Sequence, residues 1–237
     1  MHKIVHKAED RGQGNHDWLT SKYSFSFSDW YDPSRRGFGS LRVINDDTIS
    51  PNSGFPMHGH HNMEIITIVT EGTVTHKDDL GNIGTVTSGD VQVMSAGTGV
   101  IHSEYNDSAH EPLSLFQIWI VPNKENVKPR YEQRSFPQNA HSLGLTHLVD
   151  PEGSSGLKIY QDAYICRGEL DEAHPITYNL NLRGNGIYVF IISGSILLSD
   201  EILNSRDAIG LTHLEHVTIT TSSYAKILII EVPISLC

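Results

Sequence analysis

Apolar and polar residues alternate over short stretches of this chain, and no long stretch repeats apolar positions at spacings of three and four. The pattern predicts strands rather than helices. Ile65 to Thr70 and Gly72 to His76 read as two strands around a turn at Glu71-Gly72. Lys77-Asp78-Asp79-Leu80-Gly81-Asn82 is dense in turn formers and reads as a hairpin loop, with Val91 to Met94 as a further short strand. The stretch Asn62 to Thr70 is apolar on both faces. With Ile66 and Ile68 taken as inward, Met63, Ile65 and Val69 point outward, and that outer face needs a covering layer.

The same rhythm returns in the second half. Val189-Phe190-Ile191-Ile192-Ser193-Gly194-Ser195-Ile196 echoes the strand, turn and strand of residues 66–74, and Ser205-Arg206-Asp207-Ala208-Ile209 echoes Ser88-Gly89-Asp90-Val91-Gln92. The expected architecture is all-β: two tandem barrel units facing each other, the second covering the first. A chain of 237 residues has room for them. Pro122, Pro129, Pro137, Pro151 and the run Gly153-Ser154-Ser155-Gly156 mark residues 122–156 as the connector. A boundary near residue 135 divides the chain into an N-terminal unit, 1–135, and a C-terminal unit, 136–237.

Composition narrows the function classes. Hydrophobic residues make up 38% and charged residues 19%, ordinary for a folded soluble chain, and no apolar run approaches the roughly 18 residues of a membrane span. The longest, Ile187 to Leu198, is broken by Ser193-Gly194. Residues 1–10 hold no apolar core of the kind a secretory signal needs. The two cysteines, Cys166 and Cys237, suit a reducing compartment, and neither has the look of a nucleophile. The expected location is therefore the cytoplasm. With 17 Lys plus Arg against 28 Asp plus Glu, the formal charge of −11 repels phosphate backbones and argues against nucleic acid.

The chemistry concentrates at His58-Gly59-His60, Glu64 and His102-Ser103-Glu104. Alternate side chains of a strand share a face, so His58 and His60 can aim at one point from one strand, and His102 and Glu104 from another. Three imidazoles and a carboxylate suit a divalent transition metal: Fe, Mn, Co, Ni, Cu or Zn. On a six-coordinate ion they leave two positions for substrate and water or dioxygen. Glu64, taken to share the parity of the two histidines, is a ligand, a partner holding an imidazole, or a base. His61 has the opposite parity, His76 reads as a structural or surface histidine, and Asp78 and Asp79 as turn residues. Gly97-Thr98-Gly99 lets the chain turn sharply ahead of His102. Ser95, Ala96 and Gly97 form a small-residue wall beside either a cavity or a close backbone contact.

The repeat tests the metal reading. Aligning Gly72 with Gly194 sets Leu180, Leu182 and Gly186 opposite His58, His60 and Glu64, and aligning Asp90 with Asp207 sets Ile219 opposite His102. None of the four can ligate, and His141, His147, His174, His213 and His216 fall outside this register. The metal is expected in the first unit alone.

These residues resemble the cupin superfamily, with HxH followed by Glu and Gly in one motif and a further His in the next. More narrowly, the chain resembles bacterial pirins of the quercetin 2,3-dioxygenase type. The resemblance runs through Arg11-Gly12, Asn15-His16-Asp17-Trp18-Leu19, Phe25-Ser26-Phe27, Tyr31-Asp32-Pro33, Leu41-Arg42-Val43-Ile44-Asn45-Asp46-Asp47, Met94 to Gly99, His102 to Asn106, and Pro129-Arg130-Tyr131-Glu132-Gln133-Arg134. It is close over residues 9–134 and looser beyond. It implies a bicupin in which His58, His60, His102 and Glu104 hold one metal, iron first among the candidates, with Glu64 nearby but not ligating; ordinary cupins instead use the equivalent of Glu64 as a ligand. Where the family often has HPHRG or HPHKD, this chain has His58-Gly59-His60-His61-Asn62, which keeps both ligand positions.

Three functions follow as expectations. The first is a dioxygenase that cleaves a flavonol such as quercetin with O2 and releases carbon monoxide, Glu104 or Glu64 taking the hydroxyl proton. The second is a metal-bearing, redox-sensitive regulator with a protein partner, a transcription factor or metabolic enzyme. The third is a metal-free sugar or small-molecule binder using the barrel as a cup.

Overall fold

The computed structural model describes residues 1–136 and 143–235; Pro137, His141 and Cys237 lie outside the described residues. Among the described residues the one helical element is a single 3-10 turn, Ala8–Asp10, and no helix is long and apolar enough to cross a membrane. The remainder is strand and turn, as the alternation predicts.

The first unit is an open barrel of two facing sheets. One has seven strands, in the order Arg130–Ser135, Asp90–Ser95, Glu64–Glu71, Leu113–Ile120, Leu41–Ile49, Leu19–Tyr23, Gly12–His16. The other has four: Ser53–His60, Val100–Asn106, Thr73–Asp78, Ile83–Thr87. The second unit is built on its own seven-stranded sheet, which runs His2–His6, Ala208–Thr212, Asn185–Ser193, Ala225–Pro233, Tyr164–Leu170, Gly144–Asp150, Leu157–Lys158. Two ribbons complete it, Ile176–Asn179 with His216–Ile219 and Ser195–Leu198 with Glu201–Asn204. Residues 136–143 separate Arg130–Ser135 in one sheet from Gly144–Asp150 in the other. The first strand crosses that division: His2–His6 adds antiparallel to Ala208–Thr212, and Lys7 reaches Asp207 at 3.0 Å. The N-terminus thus belongs to the second sheet in space.

The repeat is visible in the turns. Gly72 and Gly194 both adopt left-handed backbone, φ +75° and +84°, at the same hairpin position, a conformation glycine reaches without steric cost. Asp90 accepts the backbone N–H of Thr87 at 2.9 Å and Asp207 that of Asn204 at 3.0 Å, the same turn closed twice.

The two seven-stranded sheets pack face to face. Ile44, Ile66, Ile68, Val91, Phe116 and Ile118 of the first join Tyr188, Phe190, Leu228 and Ile230 of the second in one continuous buried cluster. Covering of the Glu64–Glu71 strand by the second unit is therefore observed, but the parity expected for that strand is inverted. Ile66 and Ile68 face the second unit, while Ile65 lines the interior of the first and Val69 packs there with Val74 and Leu115. The reason is local. Asn62 takes φ +44° and ends one strand before Glu64 begins another in the opposite sheet, so face parity does not carry across it.

Candidate metal centre

Ser53–His60 and Val100–Asn106 are antiparallel neighbours with His58 directly opposite His102 and His60 opposite Val100. A bulge between His102 and Glu104 shifts the register there, an irregularity that re-aims side chains. His58, His60 and His102 each bring one ring nitrogen within 4.8 Å of the others. Their ring centroids lie 4.4 Å apart for His58 and His102, 4.9 Å for His58 and His60, and 5.0 Å for His60 and His102.

Each ring is prepared for ligation in its own way. His58 Nδ1 lies 2.8 Å from the Pro56 carbonyl oxygen, which takes the N–H at that nitrogen and leaves the other as a lone pair. His60 rests edge-on against Trp119 at 5.0 Å. His102 is buried, and neither of its nitrogens has a hydrogen-bond partner among the described residues. Burial, with the neighbouring histidines as a second cause, lowers His102 to about 2 and His60 to about 4. Both rings are neutral at pH 7, the state a metal requires. Two orphaned buried nitrogens on His102, beside the rings of His58 and His60, fit a divalent transition metal.

Glu104 enters through a second group, His76, His102 and Glu104, whose ligand atoms also lie within 4.8 Å of one another. His102 is common to both groups. The Glu104 carboxylate is held from the facing sheet: Thr67 Oγ1 and Gln92 Nε2 donate to Oε1 at 3.1 and 2.8 Å, and Gln117 Nε2 donates to Oε2 at 2.7 Å. These three residues form part of a row running straight across the sheet, with Tyr23 paired to Asn45, Asn45 to Gln117, Gln117 to Thr67 and Thr67 to Gln92. In sequence the trace of this row is a polar residue inside an apolar run in three of its strands, Thr67, Gln92 and Gln117.

Of the structural and surface roles expected for His76, the structure excludes the surface one. His76 is fully buried, pairs with Glu104 across the strands, stacks on Tyr131 at 4.4 Å and holds Asp78 Oδ2 through Nε2 at 3.2 Å, with Nδ1 unpartnered among the described residues. Asp78 closes the hairpin by accepting the N–H groups of Leu80 and Asn82, at 3.1 and 2.8 Å, and orients His76 as well. Asp79 accepts the Ile101 N–H at 3.1 Å. His61 is exposed.

Glu64 belongs to neither group. Its carboxylate faces away from the cavity, taking a hydrogen bond from Ser95 Oγ at 2.7 Å and another from the Tyr160 backbone; burial, outweighing these, raises it to about 7. The small-residue wall is a packing device: a Cβ at Gly97 would meet the Val127 carbonyl oxygen at 2.0 Å.

The histidines open on a cavity of about 160 Å³ between the two sheets. Phe27, Phe55, Ile65 and Trp119 give it apolar walls; Gln117 reaches it from the polar row and Glu104 from the strand of His102. In the second unit Leu180 packs against the core, Ile219 is fully buried and Gly186 is buried in its strand, while Leu182 is half-buried. His174, His213 and His216 are exposed, and His147 lies beside Cys166, 3.4 Å from its Sγ. Both metal-capable groups among the described residues are in the first unit.

Comparison with known proteins agrees with this layout. Residues 5–120 match the family model Pirin, and residues 148–232 match the model of the quercetinase C-terminal cupin domain. A quercetin 2,3-dioxygenase of Escherichia coli (strain K12) is 38% identical over 97% of this chain and 98% of its own length. A pirin-like protein of Caulobacter vibrioides is 39% identical over 93% of this chain and 95% of its own. The crystal structure of the E. coli pirin YhhW in complex with nickel(II) superposes with a TM-score of 0.93 at 36% identity, covering 99% of this chain and 100% of that one. With both of its halves matched and near-full-length relatives well above 30% identity, the chain belongs to the pirin family and has the bicupin fold.

Proposed function

We propose that this chain is a metal-dependent dioxygenase that opens the central ring of a flavonol such as quercetin with O2, one ring carbon leaving as carbon monoxide. The observation that carries the reading is the convergence of His58, His60 and His102 on one edge of an aromatic-walled cavity. It is supported by the E. coli relative that bears the name quercetin 2,3-dioxygenase. In this reading His58, His60, His102 and Glu104 hold one divalent transition metal, which supplies Lewis acidity toward the hydroxyl and carbonyl oxygens of the substrate.

The remaining work falls to the chain. Three neutral imidazoles and one carboxylate leave a divalent ion with net positive charge, so the cavity favours the anionic form of a substrate hydroxyl. Thr67, Gln92 and Gln117 all donate to Glu104 and fix the position of its carboxylate. In that position Glu104 serves as a ligand. Phe27, Phe55 and Trp119 exclude water around the reacting ring.

Oxygen uptake by metal-loaded protein with quercetin, with carbon monoxide trapped in parallel, tests the proposal. Uptake that disappears in His58→Ala supports it. No uptake with any flavonol, or equal uptake by the variant, removes it.

A further inference from the structure

The cavity has a second polar end that the metal-facing residues leave unused. Strand Leu41–Ile49 sends Asn45 and Asp47 to one face, and its neighbour Leu19–Tyr23 sets Tyr23 opposite Asn45 and Ser21 opposite Asp47. All four side chains line the cavity, on the sheet that faces the histidines. All are buried, none with more than 4% of its surface exposed.

Their hydrogen bonding is incomplete. Asn45 sits in the same cross-sheet row as Gln117, Thr67 and Gln92, yet where those three hold Glu104, the Asn45 Oδ1 has no partner among the described residues. A buried amide oxygen left so loses its hydration without recovering a hydrogen bond. Asp47 accepts one hydrogen bond, from Ser21 Oγ to Oδ1, and none to Oδ2 among the described residues. Nothing in the fold uses these two acceptors. They form an acceptor pair buried in a cavity whose other walls are largely aromatic and aliphatic.

We propose that Asn45 and Asp47 form a hydroxyl-recognition subsite, accepting hydrogen bonds from hydroxyl groups on an aromatic ring of the substrate that extends across the cavity from the metal centre. The assignment rests on the flavonol reading above and deepens it. Two neighbouring acceptors call for a ligand with two donors. An ammonium group would also supply them, but Leu19, Phe27, Phe55 and Ile65 offer a full positive charge no solvation. Phenolic hydroxyls carry the donors on a flat apolar frame that the same walls accommodate.

The test is anaerobic binding, so that no turnover is needed. Nickel-loaded protein is titrated with three flavonols that differ only in carrying two, one or no hydroxyls on the pendant ring, read by the absorbance shift of the bound flavonol. The wild type is expected to prefer the dihydroxy compound over the unsubstituted one by about tenfold or more. In Asp47→Asn and in Asn45→Leu, both close in volume to the native side chain, the ratio is expected to fall toward one while nickel content stays at one per chain. A wild type without preference, or variants that retain it, overturns the subsite. Failure of every flavonol to bind nickel-loaded protein overturns the flavonol reading itself, and the subsite with it.

Discussion

Each barrel buries a glutamate, and the two are held to opposite ends. In the second unit Glu231 is fully buried and accepts five hydrogen bonds: Tyr178 Oη, Asn181 N and Asn181 Nδ2 on Oε2, and Leu182 N and Asn185 Nδ2 on Oε1, all between 2.8 and 3.0 Å. Its lone pairs are spent on the fold. In the first unit Glu104 accepts three, all from side chains of the facing sheet, and stands beside His76 and His102, whose rings carry orphaned nitrogens. The same scaffold thus closes one barrel around a saturated carboxylate and an apolar core and leaves the other with unspent donors around a cavity. Saturation is the mark of a structural polar group and incompleteness that of a functional one.

The largest effect should come from the residue both donor groups share. Replacing His102 by Ala is expected to bring metal content from about one ion per chain to background, a loss of at least about 100-fold in affinity, measured by elemental analysis after exposure to excess metal. If the variant still holds one ion, the incompleteness in the first barrel does not mark a metal site. Glu231→Gln makes the converse case. An amide NH2 set against donors should cost roughly 3–4 kcal/mol in denaturant unfolding and leave metal content unchanged. Loss of metal there would end the division of labour between the barrels.

How much of this was legible in the sequence follows from what period two can and cannot convey. It placed His58 with His60, and the echo of Gly72 in Gly194 located the repeat and the two-barrel fold. Parity fails wherever a left-handed residue resets the face. Asn62 does so between His60 and Glu64, which is why Glu64 seemed to share the site and is turned away from it. Its place beside a hairpin leaves His76 open to either a structural or a surface reading. The alternation of Val74 and His76 with Thr75 and Lys77 is the signal that sets it on the buried face. The polar row from Tyr23 to Gln92 is a product of strand order, and no single strand reveals that five isolated polar residues meet in register.

Glu64 sharpens the comparison from the side of stability. Its carboxyl keeps a proton up to about 7 in the folded chain against 4.5 in the unfolded one. The folded state therefore binds more protons between those values, and the contribution of Glu64 to stability falls as pH rises from about 4.5 to about 7. Glu64→Gln should remove that slope, so that the stability difference between variant and wild type shifts in favour of the variant by on the order of 2–3 kcal/mol across the window. A constant difference would mean that Glu64 titrates alike in both states. Flavonol binding should not change, since Glu64 does not line the cavity.

The smallest effect tests the Glu104 cradle. Gln117 donates to Glu104 Oε2 at 2.7 Å while its own Oε1 lies 3.2 Å from the Thr67 hydroxyl oxygen, so one side chain links the carboxylate to the row behind it. Gln117→Leu keeps most of the volume and removes both contacts. If the cradle positions Glu104 for a metal, affinity should weaken by about tenfold, roughly 1.4 kcal/mol, while the three histidines still retain an ion. The matching change in the other barrel, Asn185→Leu, removes a donor from Glu231 and should lower unfolding stability with metal affinity unmoved. Equal metal affinity in wild type and Gln117→Leu would make Glu104 as structural as Glu231, leaving a three-histidine site; a split between the two variants, affinity in one and stability in the other, is what two carboxylates with different occupations require.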